Sequence, residues 1–138
     1  MNPVVHFEMP YEDRDRMVGF YGKAFGWKAQ ILGPEMGSYA VMSTTEIDEK
    51  THFPKEPGRI NGGFYKKPED PMGRCPSVVI AVDDIKDAMK KVEAAGGKIR
   101  GGAPDKPGEP DDIPGIGFYI SFIDTEGNRV SMIQPKGM

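Results

Sequence analysis

HFEMPYEDRDRMVGFYGKAFGWK, residues 6–28, falls without a gap on SVVIAVDDIKDAMKKVEAAGGKI, residues 77–99, when the chain is slid by 71 positions (77 minus 6). Both stretches carry a short apolar strand, Val4 to Met9 in one and Val78 to Val82 in the other, that runs into an acidic pair, Glu12-Asp13 or Asp83-Asp84. A helical pattern follows in each and stops at Phe25-Gly26-Trp27 or at Gly96-Gly97-Lys98. A duplicated module of this kind buries its core against its twin, so the expected site is a cleft between the two copies.

Working outward, the first strand alternates. Val5, Phe7 and Met9 share the face that should meet a helix, and Val4, His6 and Glu8 share the other. Pro10 is expected to stop this strand, and Asp13 to cap a helix with the stripe Met17, Phe20, Tyr21, Ala24 and Phe25. Gly26 ends it. Trp27 to Leu32 and Ser38 to Thr44 read as a hairpin pair, and Arg59 to Lys66 as the last strand of the module. In the second copy Asp83 or Asp84 caps a helix that buries Ile85, Ala88, Met89, Val92 and Ala95. Lys98 to Gly101 is a strand, residues 102–114 form a long exposed loop of lid or rim type, and Gly117 to Ile123 with Arg129 to Gln134 make a hairpin on Asp124-Thr125-Glu126-Gly127-Asn128. Each module is βαβββ. Module one is 1–67, the linker 68–74 and module two 75–138, all within one domain of 138 residues.

Charge and composition narrow the function. A net charge of −3, without a basic cluster beyond Lys66-Lys67 and Lys90-Lys91, argues against nucleic acid and anionic membranes. Apolar runs of about six residues fall far short of the roughly 20 that a membrane span needs. The expectation is a soluble, cytoplasmic protein. The single Cys75 cannot form an internal disulfide and reads as a structural thiol. Met9, Met17, Met89 and Met132 fall on predicted core faces, and His52 lies in a polar surface loop. Gly62-Gly63 inside a strand suggests a bulge, or else a close approach to the backbone; the bulge is the favoured reading.

His6, Phe20-Tyr21, Phe25-Gly26-Trp27, Val82-Asp83-Asp84, Gly96-Gly97-Lys98, Pro114-Gly115-Ile116-Gly117 and Asp124 to Asn128 together resemble the vicinal oxygen chelate superfamily, in its single-domain glyoxalase-related branch. That superfamily includes glyoxalase I, bleomycin-resistance proteins and extradiol dioxygenases. The resemblance implies an α+β fold in which two tandem βαβββ modules form a curled mixed sheet, a half-barrel, with helices on the outer face. A second subunit usually completes the pocket, so a homodimer is expected.

The resemblance also implies four metal-ligand positions, on the first and last strand of each module. These fall on His6, on the strand Arg59 to Tyr65, on Ser77 by the repeat offset, and on Ser131, where the glyoxalase pattern would carry glutamate. Arg59 to Tyr65 offers no carboxylate or imidazole. Serine hydroxyls are weak ligands for divalent ions, which take imidazole, thiolate or carboxylate. Glu8 lies two residues from His6 on one strand face, about 6.5–7 Å away by strand rise, and could share a weakly held divalent ion with it. The favoured alternative is a metal-free pocket in which His6 and Glu8 bind a polar group of the ligand or each other. A carboxylate beside the imidazole would raise its pKa and orient it as a base. His6 and Glu8 are thus the candidate catalytic pair, with Asn61, Tyr65, Ser77, Tyr119, Arg129 and Ser131 as candidate ligand-binding residues and no assigned metal or other cofactor.

Three functions compete for this pattern. One is a glyoxalase-related enzyme with most of its metal site lost, of lyase, isomerase or dioxygenase type. The second is a metal-free protein that sequesters a small molecule, as bleomycin-resistance proteins do. The third is a partner or regulatory subunit.

Overall fold

The computed structural model describes residues 1–136. The chain divides into two compact units, His6–Pro76 and Met1–Val5 together with the chain from Ser77 onward. The elements are β1 (Val4–Tyr11), α1 (Arg14–Phe25), β2 (Lys28–Ile31), β3 (Ala40–Ser43), β4 (Asn61–Lys66), β5 (Ser77–Ala81), α2 (Ile85–Ala94), β6 (Lys98–Arg100), β7 (Asp111–Ile113), β8 (Gly117–Ile123) and β9 (Arg129–Pro135). The class is α+β, with mixed parallel and antiparallel strand pairing and two α-helices among the described residues, as the repeat implied. Neither helix is long and apolar enough to cross a membrane.

In the His6–Pro76 unit the strands run in the order β2-β3-β4-β1. β1 is parallel to β4, with His6 opposite Asn61, Glu8 opposite Gly63 and Met9 opposite Phe64, while the other neighbours are antiparallel. Parallel strands cannot be joined by a tight turn, so the chain between them must cross over. Here α1 makes the first part of that crossover. Asp13 caps the helix by accepting the Arg16 N–H at 3.0 Å, and Gly26, at φ 75°, closes it in the left-handed conformation that glycine adopts without strain.

The core of this unit is Tyr11, Ala40, Met42 and Phe64, with Phe7, Met9, Met17, Val18, Tyr21 and Trp27 packed around it. The helix stripe differs from the expected one: Val18 joins the core, whereas Phe20 and Phe25 remain 55% and 64% exposed. Trp27 lies just beyond the cap and stacks on Tyr21 at 4.7 Å between ring centroids. Its indole therefore covers the core where Phe25 would otherwise reach. β1 also continues through Pro10 to Tyr11, two residues past the expected stop. Tyr11 C=O accepts from Lys67 N–H, so the position of the missing N–H of Pro10, one residue earlier, faces away from β4 and costs that ladder nothing.

The other unit repeats the plan as β6-β8-β9-β5, with β5 parallel to β9 and β7 added alongside β8. Asp84, rather than Asp83, caps α2 through the Asp87 N–H at 3.0 Å. Val82, Ile85, Ile120 and Met132 form the core, with Ala88, Met89 and Val92 of the helix against it. The Pro3 carbonyl accepts from Ala81 N–H, tying the chain start to β5. β7 lies inside the stretch expected to be an open loop; an Asp112–Lys136 ion pair and the ladder to β8 hold it.

Gly62 and Gly63 do not form a bulge, because the β1–β4 register runs without a break from Asn61 to Lys66. Each glycine instead makes room for an aromatic ring, on opposite faces of the sheet. A Cβ on Gly62 would overlap the Phe7 ring, and one on Gly63 would overlap the Tyr39 phenol. We expect Gly62→Ala to destabilise the fold by about 1–3 kcal/mol through overpacking and Phe64→Ala by about 3–5 kcal/mol through loss of a buried ring. Urea unfolding followed by Trp27 fluorescence would measure both.

Candidate functional site

Each unit turns one face of its sheet to its helix and carries its polar side chains on the other. In the His6–Pro76 unit the polar face bears His6, Glu8, Asn61 and Tyr65, which follows from strand alternation and the parallel register. His6 is half-buried and Glu8 is buried. The His6 Nε2 lies 3.4 Å from the Tyr39 hydroxyl, a long hydrogen bond across the sheet. Tyr39 is thus a hydrogen-bond partner of His6. Side chains two apart on a strand stand side by side, and the imidazole reaches across strands instead.

The expected rise in the imidazole pKa is not found. Burial lowers it, because desolvation penalises the charged form, so His6 is neutral at neutral pH. Asn61 is committed to its own unit: its Oδ1 accepts from the Thr44 and Thr45 N–H groups at 2.8 and 3.1 Å, which fixes the chain as it leaves β3. Tyr65 donates its hydroxyl to the Gly73 carbonyl at 2.6 Å, tethering the linker. Both side chains therefore have architectural roles in addition to any contact with a ligand.

In the second unit, Ser77, Tyr119, Arg129 and Ser131 come together as one hydroxyl network with Ser121, which sequence reasoning had not singled out. Ser131, with no exposed surface, lies 2.8 Å from Tyr119 Oη and 2.9 Å from Ser121 Oγ. Arg129 donates through Nη2 to Ser77 Oγ at 3.2 Å and through Nη1 to Ser121 Oγ at 3.5 Å. The turn before β9 delivers that arginine: the Asp124 carboxylate accepts from the Glu126 and Asn128 N–H groups, and its pKa is held low, chiefly by the Asn128 backbone bond. A guanidinium is a donor only, so Ser121 and Ser77 accept from Arg129, while each hydroxyl keeps one proton and a second lone pair for its neighbours in the network.

These residues do not fit a divalent ion. Among the described residues no group of three or more His, Cys, Asp or Glu is placed to hold a metal. The register sets an amide beside His6, and a guanidinium hydrogen-bonds Ser77. A cation and neutral hydroxyls supply neither the charge nor the ligand strength such an ion requires. Two surface depressions, of about 420 Å³ beside Glu12, Arg16, Phe20 and Lys67 and about 380 Å³ beside Asp84, Glu109 and Phe118, contain none of the sequence-predicted site residues.

We expect Ser131→Ala to cost about 1–3 kcal/mol, since it takes a partner from two hydroxyls at a buried position. Chemical denaturation measures this, with Ser43→Ala on the exposed end of β3 as a control near zero. His6 gives a second expectation. Its folded-state pKa lies below the ordinary 6.5, so the unfolded chain binds the proton more readily and stability falls as pH drops below 6.5, levelling off once the folded imidazole is also protonated. A His6→Asn variant should lose that component of the slope in melts run across the same pH range.

Residues 4–45, which span β1 to β3 and include His6, Glu8 and Tyr39, match the family described as bleomycin resistance protein-like N-terminal. No curated protein matches the chain in sequence. Solved structures with a similar fold include hypothetical protein BH1468 from Bacillus halodurans C-125, at TM-score 0.67 and 14% identity over 99% of this chain and 96% of that one. An engineered variant of Streptomyces coelicolor methylmalonyl-CoA epimerase in complex with 2-nitronate-propionyl-CoA is similar at TM-score 0.68 and 12% identity over 100% and 97% of the respective chains. Methylmalonyl-CoA epimerase from Mycobacterium tuberculosis is similar at TM-score 0.59 and 12% identity, over 96% and 87%. The repeated βαβββ plan is thus shared with these solved structures as a fold, and the first third of the chain matches the bleomycin resistance protein-like N-terminal family.

Proposed function

We propose that this protein binds a small oxygen-bearing molecule without a resident metal ion. The observation that carries this reading is the side-chain set at the positions where the superfamily resemblance implies ligands. His6 is paired with Tyr39, Asn61 is spent on backbone amides, Ser77 is held by Arg129, and Ser131 is buried among hydroxyls. Hydroxyl, guanidinium and neutral imidazole groups are hydrogen-bonding groups suited to carbonyl, carboxylate or hydroxyl oxygens of a ligand. The match of residues 4–45 to a bleomycin-resistance-like family supports binding without turnover.

A second reading keeps an enzyme, on one specific observation. A neutral His6 near a buried Glu8 is in the protonation state of a general base, and the fold relatives include epimerases. In that reading the reaction is an isomerisation or elimination run by proton transfer alone. A homodimer and a cytoplasmic location belong to the proposal in either form; light scattering on the purified protein tests the first.

Protein purified without an affinity tag should contain no stoichiometric transition metal by elemental analysis. A thermal-shift panel of aromatic carboxylates, 2-oxo acids and acyl thioesters should yield a ligand that raises Tm equally with and without chelator. His6→Ala should weaken that ligand by about tenfold, the loss of one good hydrogen bond. A stoichiometric ion whose removal abolishes ligand binding would overturn the proposal.

A further inference from the structure

We propose that Tyr39 is a positioning residue that takes up the Nε2 of His6, setting the imidazole tautomer with its proton on Nδ1 and closing that nitrogen to metal ions. The inference deepens the metal-independent reading above and rests on it.

Three features build the arrangement. The Tyr39 phenol lies over Gly63, a space that any side chain would fill, so the glycine is what admits the ring to the polar face. The residue before it, Ser38, adopts φ 55°, a left-handed conformation uncommon for a residue with a side chain. Its carbonyl is pinned there by the buried Tyr11 hydroxyl at 2.8 Å and by Arg14 Nη1 at 3.4 Å. The backbone is thus bent and held at the point that aims Tyr39 at His6.

The second unit carries the same device. Val41 pairs with Gly63 and Ser121 pairs with Ser131, while Glu8 opposite Gly63 and Val79 opposite Ser131 are related by the repeat offset (79 minus 8 is 71). Tyr39 and Tyr119 each lie two residues before the equivalent pair, and each lays a phenol on the equivalent position of the last strand: one over Gly63, the other against Ser131. The reach of Tyr39 is therefore a property of the module rather than a local accident.

A phenol is a stronger hydrogen-bond donor than a neutral imidazole N–H, and a neutral imidazole has one acceptor nitrogen. The favoured polarity is Tyr39 O–H to Nε2, which leaves the Nδ1–H as the donor for a ligand's oxygen.

The chain has two histidines, which makes the test direct. Long-range proton–nitrogen correlation spectra of ¹⁵N-labelled full-length protein at about pH 8, above the ordinary imidazole range, report the tautomer of each ring, with His52→Gln giving the assignment. His6 should show the Nδ1–H form in the parent protein and shift toward the Nε2–H form in Tyr39→Phe. Gly63→Ala keeps the hydroxyl but expels the ring, and should give the same shift. Added Co²⁺ should leave the His6 resonances sharp in the parent and broaden them in Tyr39→Phe. An Nε2–H form in the parent, a tautomer indifferent to Tyr39→Phe, or equal broadening by Co²⁺ in parent and variant would overturn the inference. Metal analysis of the parent separates the two levels. A stoichiometric resident ion would sink the metal-independent reading and this inference with it, whereas a metal-free parent with an indifferent tautomer would sink only the inference.

Discussion

Parallel pairing of the first strand of each unit with its last is the constraint on which the rest depends. Such a pair cannot close through a hairpin, so a helix and two antiparallel strands must intervene, and the helix covers one face of the sheet. Once Phe7 and Met9 of β1 and Phe64 of β4 are committed to that face, a slip of one residue would exchange every buried side chain for a polar one. The register is thereby fixed, and with it the company kept by His6 on the other face. The chemistry available there is a by-product of how the core is packed.

Much of the fold was legible because it depends on local periodicity. Both helices, both aspartate caps and nearly all the strands follow from apolar spacing and from the residues that stop it. What misled was long-range. The 71-residue offset holds only across the ungapped part of the repeat. By the third strand the equivalent residues are 80 apart (121 minus 41) and by the last strand 68 apart (131 minus 63). The correspondence between Tyr39 and Tyr119 therefore lies outside any single shift of the sequence. The glycine pair was noticed, but a glycine in a strand reveals only that space is needed, not which ring occupies it. The exposed Phe20 and Phe25 were misplaced because a stripe at helical spacing does not disclose that Trp27 has already covered the same surface.

The convergence of several candidate residues was legible in the sequence more than their bonding was. Ser77, Tyr119, Arg129 and Ser131 do converge, since alternation puts them on one face, and Ser121 joins them as the direct cross-strand neighbour of Ser131. His6 and Glu8 share a face, and His6 also reaches Tyr39 on the other side of β4. Sequence adjacency on a strand brings side chains alongside one another, whereas partners come from neighbouring strands. Asn61 shows the limit in another way: a polar side chain at the right register can be consumed by the backbone of the next loop.

The duplicated tyrosines have a consequence for how the two halves respond to their surroundings. Tyr39 meets an imidazole, the one side chain whose ordinary titration lies near physiological pH, while Tyr119 meets a serine that stays neutral throughout that range. The copies keep the same reach and differ in what is reached. Protonating His6 would therefore alter the phenol contact of the first half, whereas the matching phenol contact of the second half is made to a hydroxyl that does not titrate in that range.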